Sequence, residues 1–320
     1  MNQKRNWPKG LLALCVWLCL LMLFGQASAA QAAESPEYQA PIWPLAVIRW
    51  DINKAYPGIL YEYRLGVQGG VYPYQFSLHT APEGMAIDPL TGTLTWVPDM
   101  EANGHEVQID IRDQAGHHLT HRFTLDVAKD AIRFVAADGQ DGNDGSEEAP
   151  WGTLAHAVMA ATNSRYLYVK EGTHLIQLDI RAEDCFKLLA YPGHDVKLIG
   201  SGTDTACVWL NGEGEYILQG FDCDVNGARW FLSFHAETFS DLIIRGNRMH
   251  HIDDDSLENP SFFFFWDSEK TPILGEEHYK NILVHENTFH NLRSTTHHGG
   301  SAILYNVQDA VFEDNLIYDI

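Results

Sequence analysis

The sequence DLIIRGNRMHHI, residues 241–252, decides the fold, because the chain repeats its pattern in NILVHENTFHNL (281–292) and DAVFEDNLIYDI (309–320). All three copies place apolar residues at the second, fourth, ninth and twelfth positions and asparagine at the seventh. This alternation predicts two short strands joined by a tight bend, and no helix fits it.

A further strand is predicted upstream of each copy, in WFLSFH, FFFFWD and AILYNV, so one repeat spans about 26 to 28 residues where no loop is inserted. Strand repeats of this period are typical of a solenoid whose coils stack on a continuous core. Stacking would bring Asn247, Asn287 and Asn315 about 4.8 Å apart, close enough for a ladder of side-chain hydrogen bonds. The alternative is that each asparagine only tolerates an unusual backbone conformation at its bend.

This repeat resembles that of the right-handed parallel β-helix proteins of the pectate-lyase-like superfamily. The resemblance covers residues 132–320 and includes a fainter copy, EYILQGFDCDV (215–225), in which Phe221 stands in place of the asparagine. We therefore predict an all-β fold with a right-handed parallel β-helix over residues 129–320. Ile320 completes the third copy in register, so we also expect this domain to be truncated at its C-terminus; the alternative is that a partner covers its last coil.

Residues 41–128 precede this region with short alternating runs separated by turn residues, the pattern of an Ig-like β-sandwich. The clearest phrase is APEGMAIDPLTGTLTWVP (81–98), which predicts a hairpin with inward-pointing Met85, Ile87, Leu94 and Trp96. It resembles the Ig-like, cadherin-like domain of bacterial surface and secreted proteins. That resemblance implies a spacer or a binding appendage.

A short helix is predicted where the two regions meet. Pro150 and Thr153 open it, and its apolar face consists of Leu154, Ala157, Val158 and Ala161. The first coil of a solenoid exposes unpaired backbone groups and an open apolar end. We therefore expect this helix to be an N-terminal cap.

The first 33 residues have the three-part plan of a secretory signal peptide. Lys4, Arg5 and Lys9 precede the apolar run 11–24, and the small-residue run GQASAAQAA follows it. We predict cleavage, then a linker over residues 34–40, and a protein that is secreted or held at the cell surface. The apolar run is short for a bilayer span, so no membrane span is expected in the mature chain, although an uncleaved anchor is the alternative.

The chain is strongly acidic, with 43 Asp and Glu against 21 Lys and Arg and a formal net charge of −22. Removing the leader takes away three positive charges and lowers this to −25. Such a surface excludes nucleic acid as a partner, because that binding depends on Lys and Arg at phosphates. It also disfavours polyanionic glycans unless a metal ion intervenes.

Three cysteines lie outside the leader: Cys185, Cys207 and Cys223. An odd number cannot form a complete set of disulfides. We expect them to pack as small hydrophobic side chains, and a Cys207–Cys223 disulfide is the alternative.

The segments that follow Ile252 and Leu292 leave the stack at equivalent points, so we expect them to be neighbours. The first carries Asp253, Asp254, Asp255 and Glu258, and the second carries Arg293, His297 and His298. The oxygen-rich first segment suits calcium, which is therefore the candidate cofactor. The alternative is that these are hydrophilic loop residues that merely attract each other.

The pectate-lyase-like resemblance implies a mechanism for this cluster. Calcium would neutralise a uronate carboxylate and acidify the adjacent C5 proton. Arg293, His297 or His298 would then take that proton in a β-elimination.

Two outward columns are weaker candidates for a sugar-binding surface, and each is equally typical of a solvent-exposed face. Their members are Arg245, His285 and Glu313 in one column and His250, His290 and Tyr318 in the other. Glu286 and Asp314 share a further column and form a candidate carboxylate pair for hydrolysis.

The sequence thus predicts an exported protein that acts on extracellular polysaccharide as a lyase or glycosidase. A non-catalytic adhesin or glycan-binding protein is the competing prediction, and fold alone cannot separate the two.

Overall fold

Nearly all of the regular structure in this protein is β-strand. The computed structural model describes residues 43–48, 52–162, 165–181, 184, 186–202, 205–211, 214–234, 239–253, 260–265, 279–293, 300–304, 307 and 309–320. Within these ranges no helix is long and apolar enough to cross a membrane. The predicted leader and linker lie outside the described residues.

The N-terminal strands pair mainly as antiparallel neighbours. They form a four-stranded sheet in the order β2-β9-β8-β5, a three-stranded sheet in the order β3-β7-β6 and the pair β1-β4. Their bounds are β1 Ala46–Val47, β2 Lys54–Ala55, β3 Tyr61–Arg64, β4 Val67–Gln68, β5 Gln75–Thr80, β6 Ala86–Ile87, β7 Thr93–Trp96, β8 Ala102–Arg112 and β9 His118–Val127.

The predicted hairpin of this region is confirmed. Leu94 and Trp96 are buried, and Ile87 and Met85 pack against the same core. Asp88 fixes the turn, because its Oδ1 accepts hydrogen bonds from the backbone N–H groups of Leu90 and Thr91 at 2.8 and 2.9 Å.

The C-terminal strands form three parallel sheets. Their bounds are β10 Ile132–Val135, β11 Tyr166–Val169, β12 Gly172–Ile176, β13 Leu178–Ile180, β14 Lys187–Ala190, β15 Val196–Gly200, β16 Ala206–Leu210, β17 Tyr216–Gln219, β18 Asp222–Asp224, β19 Trp230–Phe234, β20 Phe239–Arg245, β21 Arg248–His250, β22 Ile252–Asp253, β23 Ser261–Phe265, β24 Tyr279–His285, β25 Thr288–Phe289, β26 Leu292–Arg293, β27 Gly300–Leu304, β28 Ala310–Glu313 and β29 Leu316–Ile317.

Each pass of the chain, here called a coil, adds one strand to each sheet in turn. The first sheet has the order β10-β11-β14-β17-β20-β24-β28, the second β12-β15-β18-β21-β25-β29 and the third β13-β16-β19-β23-β27. The pair β22-β26 extends two of the coils. Strands that neighbour in space are therefore one coil apart in sequence, as the repeat predicts.

The asparagine column forms the predicted ladder. Asn247 Nδ2 donates to Asn287 Oδ1 at 3.1 Å, and Asn287 Nδ2 donates to Asn315 Oδ1 at 3.0 Å. The amides also donate to backbone carbonyls of the preceding coil, and the backbone N–H of Phe221 donates to Asn247 Oδ1 at 3.0 Å. Each buried amide group thus ties one bend to the next.

The one α-helix among the described residues, α1 (Leu154–Ala160), confirms the predicted helix. Thr153 is its N-cap, and its side chain accepts a hydrogen bond from the backbone N–H of His156. Leu154, Ala157 and Val158 are buried in the core enclosed by the three sheets. Cys207 and Cys223 are buried there, so the expected packing is confirmed for these two, while Cys185 lies outside the described residues.

A second core joins the N-terminal sheets to the outer face of the first parallel sheet. Ile217, Ile243 and Leu283 point away from the inside of the stack and are buried against N-terminal residues. The approach is so close that a Cβ at Gly66 would collide with the Leu283 side chain. Residues 42–320 accordingly form one compact unit.

Candidate functional site

A network of charged side chains lies where the N-terminal sheets meet the bends of the last two coils. Arg64, at the end of β3, is buried and contacts three carboxylates. Its Nη1 is 2.7 Å from Glu286 Oε1, and its Nη2 is 2.7 Å from Asp314 Oδ2 and 3.1 Å from Glu313 Oε1. One guanidinium from the N-terminal region therefore binds two successive coils.

A second buried guanidinium, Arg245 at the end of β20, extends this network. Its Nε donates to Glu286 Oε2 at 2.7 Å, and its Nη2 is 2.8 Å from Glu62 Oε1. The Nη1 atom of Arg245 is buried and has no hydrogen-bond partner among the described residues. A buried donor without a partner costs about 1–3 kcal/mol.

The environment moves the pKa values of the two nearby glutamates in opposite directions. Burial acts to raise the pKa of Glu286, but Arg245 and Arg64 outweigh it and hold that pKa below its usual range. For Glu313, burial raises the pKa; Arg64 opposes that shift, while Asp314 and Glu286 add to it, and the net pKa is raised. Glu286 is thus the stronger acid of the pair, and such a split is typical of acid–base partners.

His285 lies in register between Arg245 and Glu313 and is almost fully buried. Burial, and then the charges of Arg245 and Arg64, hold its pKa well below the ordinary value. Neither ring nitrogen has a hydrogen-bond partner among the described residues. The imidazole is therefore neutral at physiological pH.

A cavity of about 290 Å³ opens beside Arg245, and we call it the groove. Its walls combine side chains from the N-terminal region and from four coils: Leu60, Glu62, Tyr168, Tyr191, Gln219 and Arg245. Gln219 Oε1 is also buried without a partner among the described residues. The groove is therefore lined by two polar side chains, Gln219 and Arg245, and by the aromatic side chains of Tyr168 and Tyr191.

The groove continues along the stack rather than ending at Arg245. A second depression of about 570 Å³ shares His194, Gly220, Gly246 and Glu286 with it and extends to the second sheet. Gly220 and Gly246 occupy the bends of successive coils with positive φ of 86° and 62°. A backbone without side chains at these bends leaves an open path parallel to the stack.

The predicted loop cluster is described only in part. β22 pairs with β26 in parallel, and their register places Asp253 opposite Arg293. The two segments are therefore neighbours at the point where they leave the stack, as expected. Asp254, Asp255, Glu258, His297 and His298 lie outside the described residues.

Both predicted outward columns form. The rings of His250 and His290 stack at 5.1 Å, and those of His290 and Tyr318 stack at 5.0 Å. The other column differs from the expected solvent face: Arg245 and His285 are buried, because the N-terminal sheets cover that side of the stack. Glu286 and Asp314 do come together, but on Arg64, which neutralises them.

The repeat pattern alone does not predict the groove, although the sequence carries a signal for it. The third position of the repeat is apolar in every copy: Ile243, Leu283 and Val311. Strands with apolar residues on both faces are typical of a sheet that is covered on both sides. The apolar third position therefore predicts that another domain covers this face of the sheet. The groove lies at the border of that domain.

The described residues contain a single group of three side chains with the geometry to hold a metal ion: Asp224, His250 and His251. It lies on the second sheet, beyond the groove. Burial lowers the pKa of His250 although Asp222 and Asp224 oppose that shift.

Comparison with known proteins identifies the N-terminal region. Residues 42–128 match the family described as "Putative Ig domain" and form an Ig-like domain. No curated protein matches the chain.

Two solved structures from Bacteroides fragilis NCTC 9343 are similar to the chain. One is named a putative alpha-galactosidase, with 14% identity over 52% of this chain and 39% of that chain and a TM-score of 0.27. The other is named a putative alpha-galactosidase/melibiase, with 10% identity over 63% of this chain and 53% of that chain and a TM-score of 0.26. The chain thus spans from about two fifths to about half of their length.

Proposed function

We propose that this protein binds a polysaccharide chain in the groove between the Ig-like domain and the first parallel sheet. The observation that carries the proposal is the lining of the groove, in which the polar side chains of Arg245 and Gln219 stand beside the tyrosines, and each of these two side chains also has a buried polar atom with no partner among the described residues. A sugar hydroxyl both donates and accepts hydrogen bonds, so the hydroxyls of a glycan suit a groove lined by donor and acceptor side chains. Tyr168 and Tyr191 supply the apolar surface against which a sugar ring packs.

The charges of the groove favour a neutral glycan over an acidic one. Glu62 and Glu286 both line the cavity, and both already hold the Arg245 guanidinium. An incoming carboxylate would meet two carboxylates and no free cation in the described part of that wall. The net charge of −22 acts in the same direction at longer range.

The proposed fold class is a right-handed parallel β-helix over residues 129–320, preceded by the Ig-like sandwich at 41–128. The sequential strand order in all three parallel sheets supports it. Helix α1 is proposed to be the N-terminal cap, which its buried apolar face supports. We further propose that residues 1–33 are a cleaved signal peptide and that the mature protein is secreted or held at the cell surface.

A carbohydrate array, followed by affinity electrophoresis in gels that contain the best ligand, tests the binding proposal. Tyr191→Ala removes the aromatic wall, and Gln219→Leu removes the acceptor while keeping a similar volume. We expect Gln219→Leu to weaken binding by about tenfold, the effect of one lost hydrogen bond. We expect Tyr191→Ala to weaken it by about tenfold as well, because the sugar ring loses its aromatic contact. Tyr72→Ala, an exposed tyrosine outside the groove, is the matched control.

Two results would count against the proposal. In one, no polysaccharide retards the wild-type protein. In the other, Tyr191→Ala and Gln219→Leu bind the ligand as tightly as Tyr72→Ala does.

The opposite pKa shifts of Glu286 and Glu313 favour a second candidate function, hydrolysis of the bound glycan. Glu286 lines the groove and is the proposed ionised partner, and Glu313, with the raised pKa, is the proposed general acid, one coil beyond the groove wall and bound to the same Arg64. Glu313→Gln should abolish the release of reducing ends while leaving binding intact, and Glu83→Gln, an exposed carboxylate elsewhere, should change neither. Binding without release of reducing ends by the wild type would leave the non-catalytic alternative.

Calcium-assisted β-elimination by the loop cluster is a separate proposal. The register of Asp253 opposite Arg293 supports it. The proposed calcium ligands are Asp253, Asp254, Asp255 and Glu258, and Arg293, His297 or His298 would take the proton. Ultraviolet absorbance of unsaturated products from uronate polysaccharides, with and without calcium, tests it, and Asp254→Ala should remove any calcium-dependent signal.

A further inference from the structure

Three side chains on neighbouring strands of the second parallel sheet converge on one point. Asp224 on β18 and His250 on β21 are register partners, and His251 follows His250 at the bend. His250 Nδ1 lies 3.0 Å from His251 Nδ1, which in turn lies 3.2 Å from Asp224 Oδ1. One ligand atom from each residue lies within 4.8 Å of the other two.

The tautomer of His250 is fixed by a fourth residue. Its Nε2 lies 2.8 Å from Asp222 Oδ1, and a carboxylate accepts hydrogen bonds, so Nε2 carries the proton. The Nδ1 atom of neutral His250 then has its lone pair directed at His251. A carboxylate that orients a histidine in this way is the usual outer partner of a metal ligand.

The three converging ligand atoms share too few protons to satisfy one another by hydrogen bonding. His251 Nδ1 carries one proton at most when neutral, yet it faces both His250 Nδ1 and Asp224 Oδ1. The backbone N–H of Asn226 donates to Asp224 Oδ1 at 3.1 Å and does not reach the histidines. A cation at this point would accept electron pairs from all three atoms.

From this geometry we propose that Asp224, His250 and His251 bind a divalent first-row transition-metal ion, with zinc as the expected ion. Ligand atoms about 2.1 Å from a metal lie about 3.0 Å apart at a right angle and about 3.4 Å apart in a tetrahedron, and the two measured distances fall in that interval. Two imidazole nitrogens favour zinc or its neighbours over calcium, which takes oxygen ligands. Three protein ligands leave a coordination position open on the side of the exposed His251.

The charges around the site are nearly balanced. Lys197 Nζ lies 3.2 Å from Asp224 Oδ2, and Arg248 Nε lies 3.0 Å from Asp222 Oδ1. Both cations are partly exposed at the surface, and Lys197 contacts the carboxylate oxygen that the proposed site does not use. Neither of them occupies the point of convergence.

The repeat supplies a matched variant for the test. The bend position of His251 is Asn291 and Asp319 in the next two coils, and all three residues have φ between 53° and 64°. Asparagine is among the residues that tolerate this left-handed conformation best. His251→Asn therefore removes a ligand while keeping a residue that the fold already accepts at the same bend.

Isothermal titration of the chelator-treated full chain with zinc chloride tests the site. The wild type should bind one ion per chain. Loss of an outer partner lowers metal affinity by about 10- to 100-fold, and His251→Asn, which removes a ligand itself, should lower the affinity further. Asp222→Asn should lose affinity within that 10- to 100-fold range, because it acts only through His250. Cobalt should give a visible absorption band that is absent in His251→Asn.

His117→Asn, which alters an exposed histidine of the Ig-like domain, is the control for adventitious binding. It should leave stoichiometry and affinity unchanged, and circular dichroism should show that all variants are folded. The proposal is overturned if the wild type binds no zinc at one ion per chain, if His251→Asn binds as the wild type does, or if His117→Asn removes the binding.

Discussion

The outer faces of the first and second parallel sheets come from the same repeat, yet they have opposite character. On the first sheet, Ile243 and Leu283 point outward and are buried beneath the Ig-like domain. On the second sheet, Leu175 is 61% exposed, and Arg248 and Asp222 form a partly exposed ion pair on later strands. The difference teaches that the environment of an outward position depends on what covers it: the Ig-like domain buries aliphatic side chains on the first sheet, whereas even a leucine is left exposed on the second.

The two faces should therefore contribute very differently to stability. Burying one large aliphatic side chain contributes about 1.5–3 kcal/mol. An exposed ion pair such as Arg248 with Asp222 contributes about 0–1 kcal/mol. The covered face holds the two parts of the molecule together, and the open face remains available for ligands.

The largest expected effect is that of Leu283→Ala on the covered face. Loss of a buried leucine and the cavity left behind should lower the free energy of unfolding by about 2–4 kcal/mol. Leu175→Ala, the matched leucine of the open face, should change it by no more than about 0.5 kcal/mol. Urea unfolding measures both, and equal losses would break the contrast between the faces.

Arg64→Met should have the next largest effect. It leaves Glu286, Glu313 and Asp314 without their shared guanidinium, and because these carboxylates are partly exposed we expect a loss of about 1–3 kcal/mol. Lys197→Met removes the more exposed pair with Asp224 and should cost less than about 1 kcal/mol. A greater loss for Lys197→Met would mean that the open face carries more of the electrostatic stability.

The smallest expected effect concerns pH. His285 stays neutral in the folded protein well below its ordinary pKa, whereas the unfolded chain binds a proton near pH 6.5. The contribution of neutral His285 to the free energy of unfolding is therefore fully present above pH 6.5. It is lost as the pH falls, by at most about 1.4 kcal/mol per pH unit. His285→Gln should reduce the fall in stability between pH 6.5 and 5, with pH 8 as the baseline, and an unchanged slope would show that His285 is accessible to protons.

Much of the fold could be predicted from local pattern. The alternation in the three repeats gives the strands, the seventh position gives the ladder of Asn247, Asn287 and Asn315, and Thr153 gives the start of α1. These features depend on neighbours in sequence or on a constant period. Because the period is constant, residues at the same position of successive repeats stack in one column.

The groove could not be predicted in the same way, because its partners are distant in sequence and belong to different patterns. Arg64 reaches Glu286 and Asp314 across 222 and 250 residues. The metal candidate was not predicted for a related reason. Asp224 lies in the faint copy of the repeat, so the sequence pattern did not align it with His250 and His251. Of the predicted loop cluster, only the backbone register of Asp253 and Arg293 is described.

Thiol reactivity at two matched positions tests the central claim, that the Ig-like domain covers one face of the stack and leaves the other open. Ile243→Cys and Leu175→Cys would be treated with a thiol reagent in the native state, with the wild type giving the background of the native cysteines. The account predicts that Leu175→Cys reacts at the rate of a free thiol and that Ile243→Cys reacts only when the protein unfolds. Equally fast reaction at both positions would contradict it.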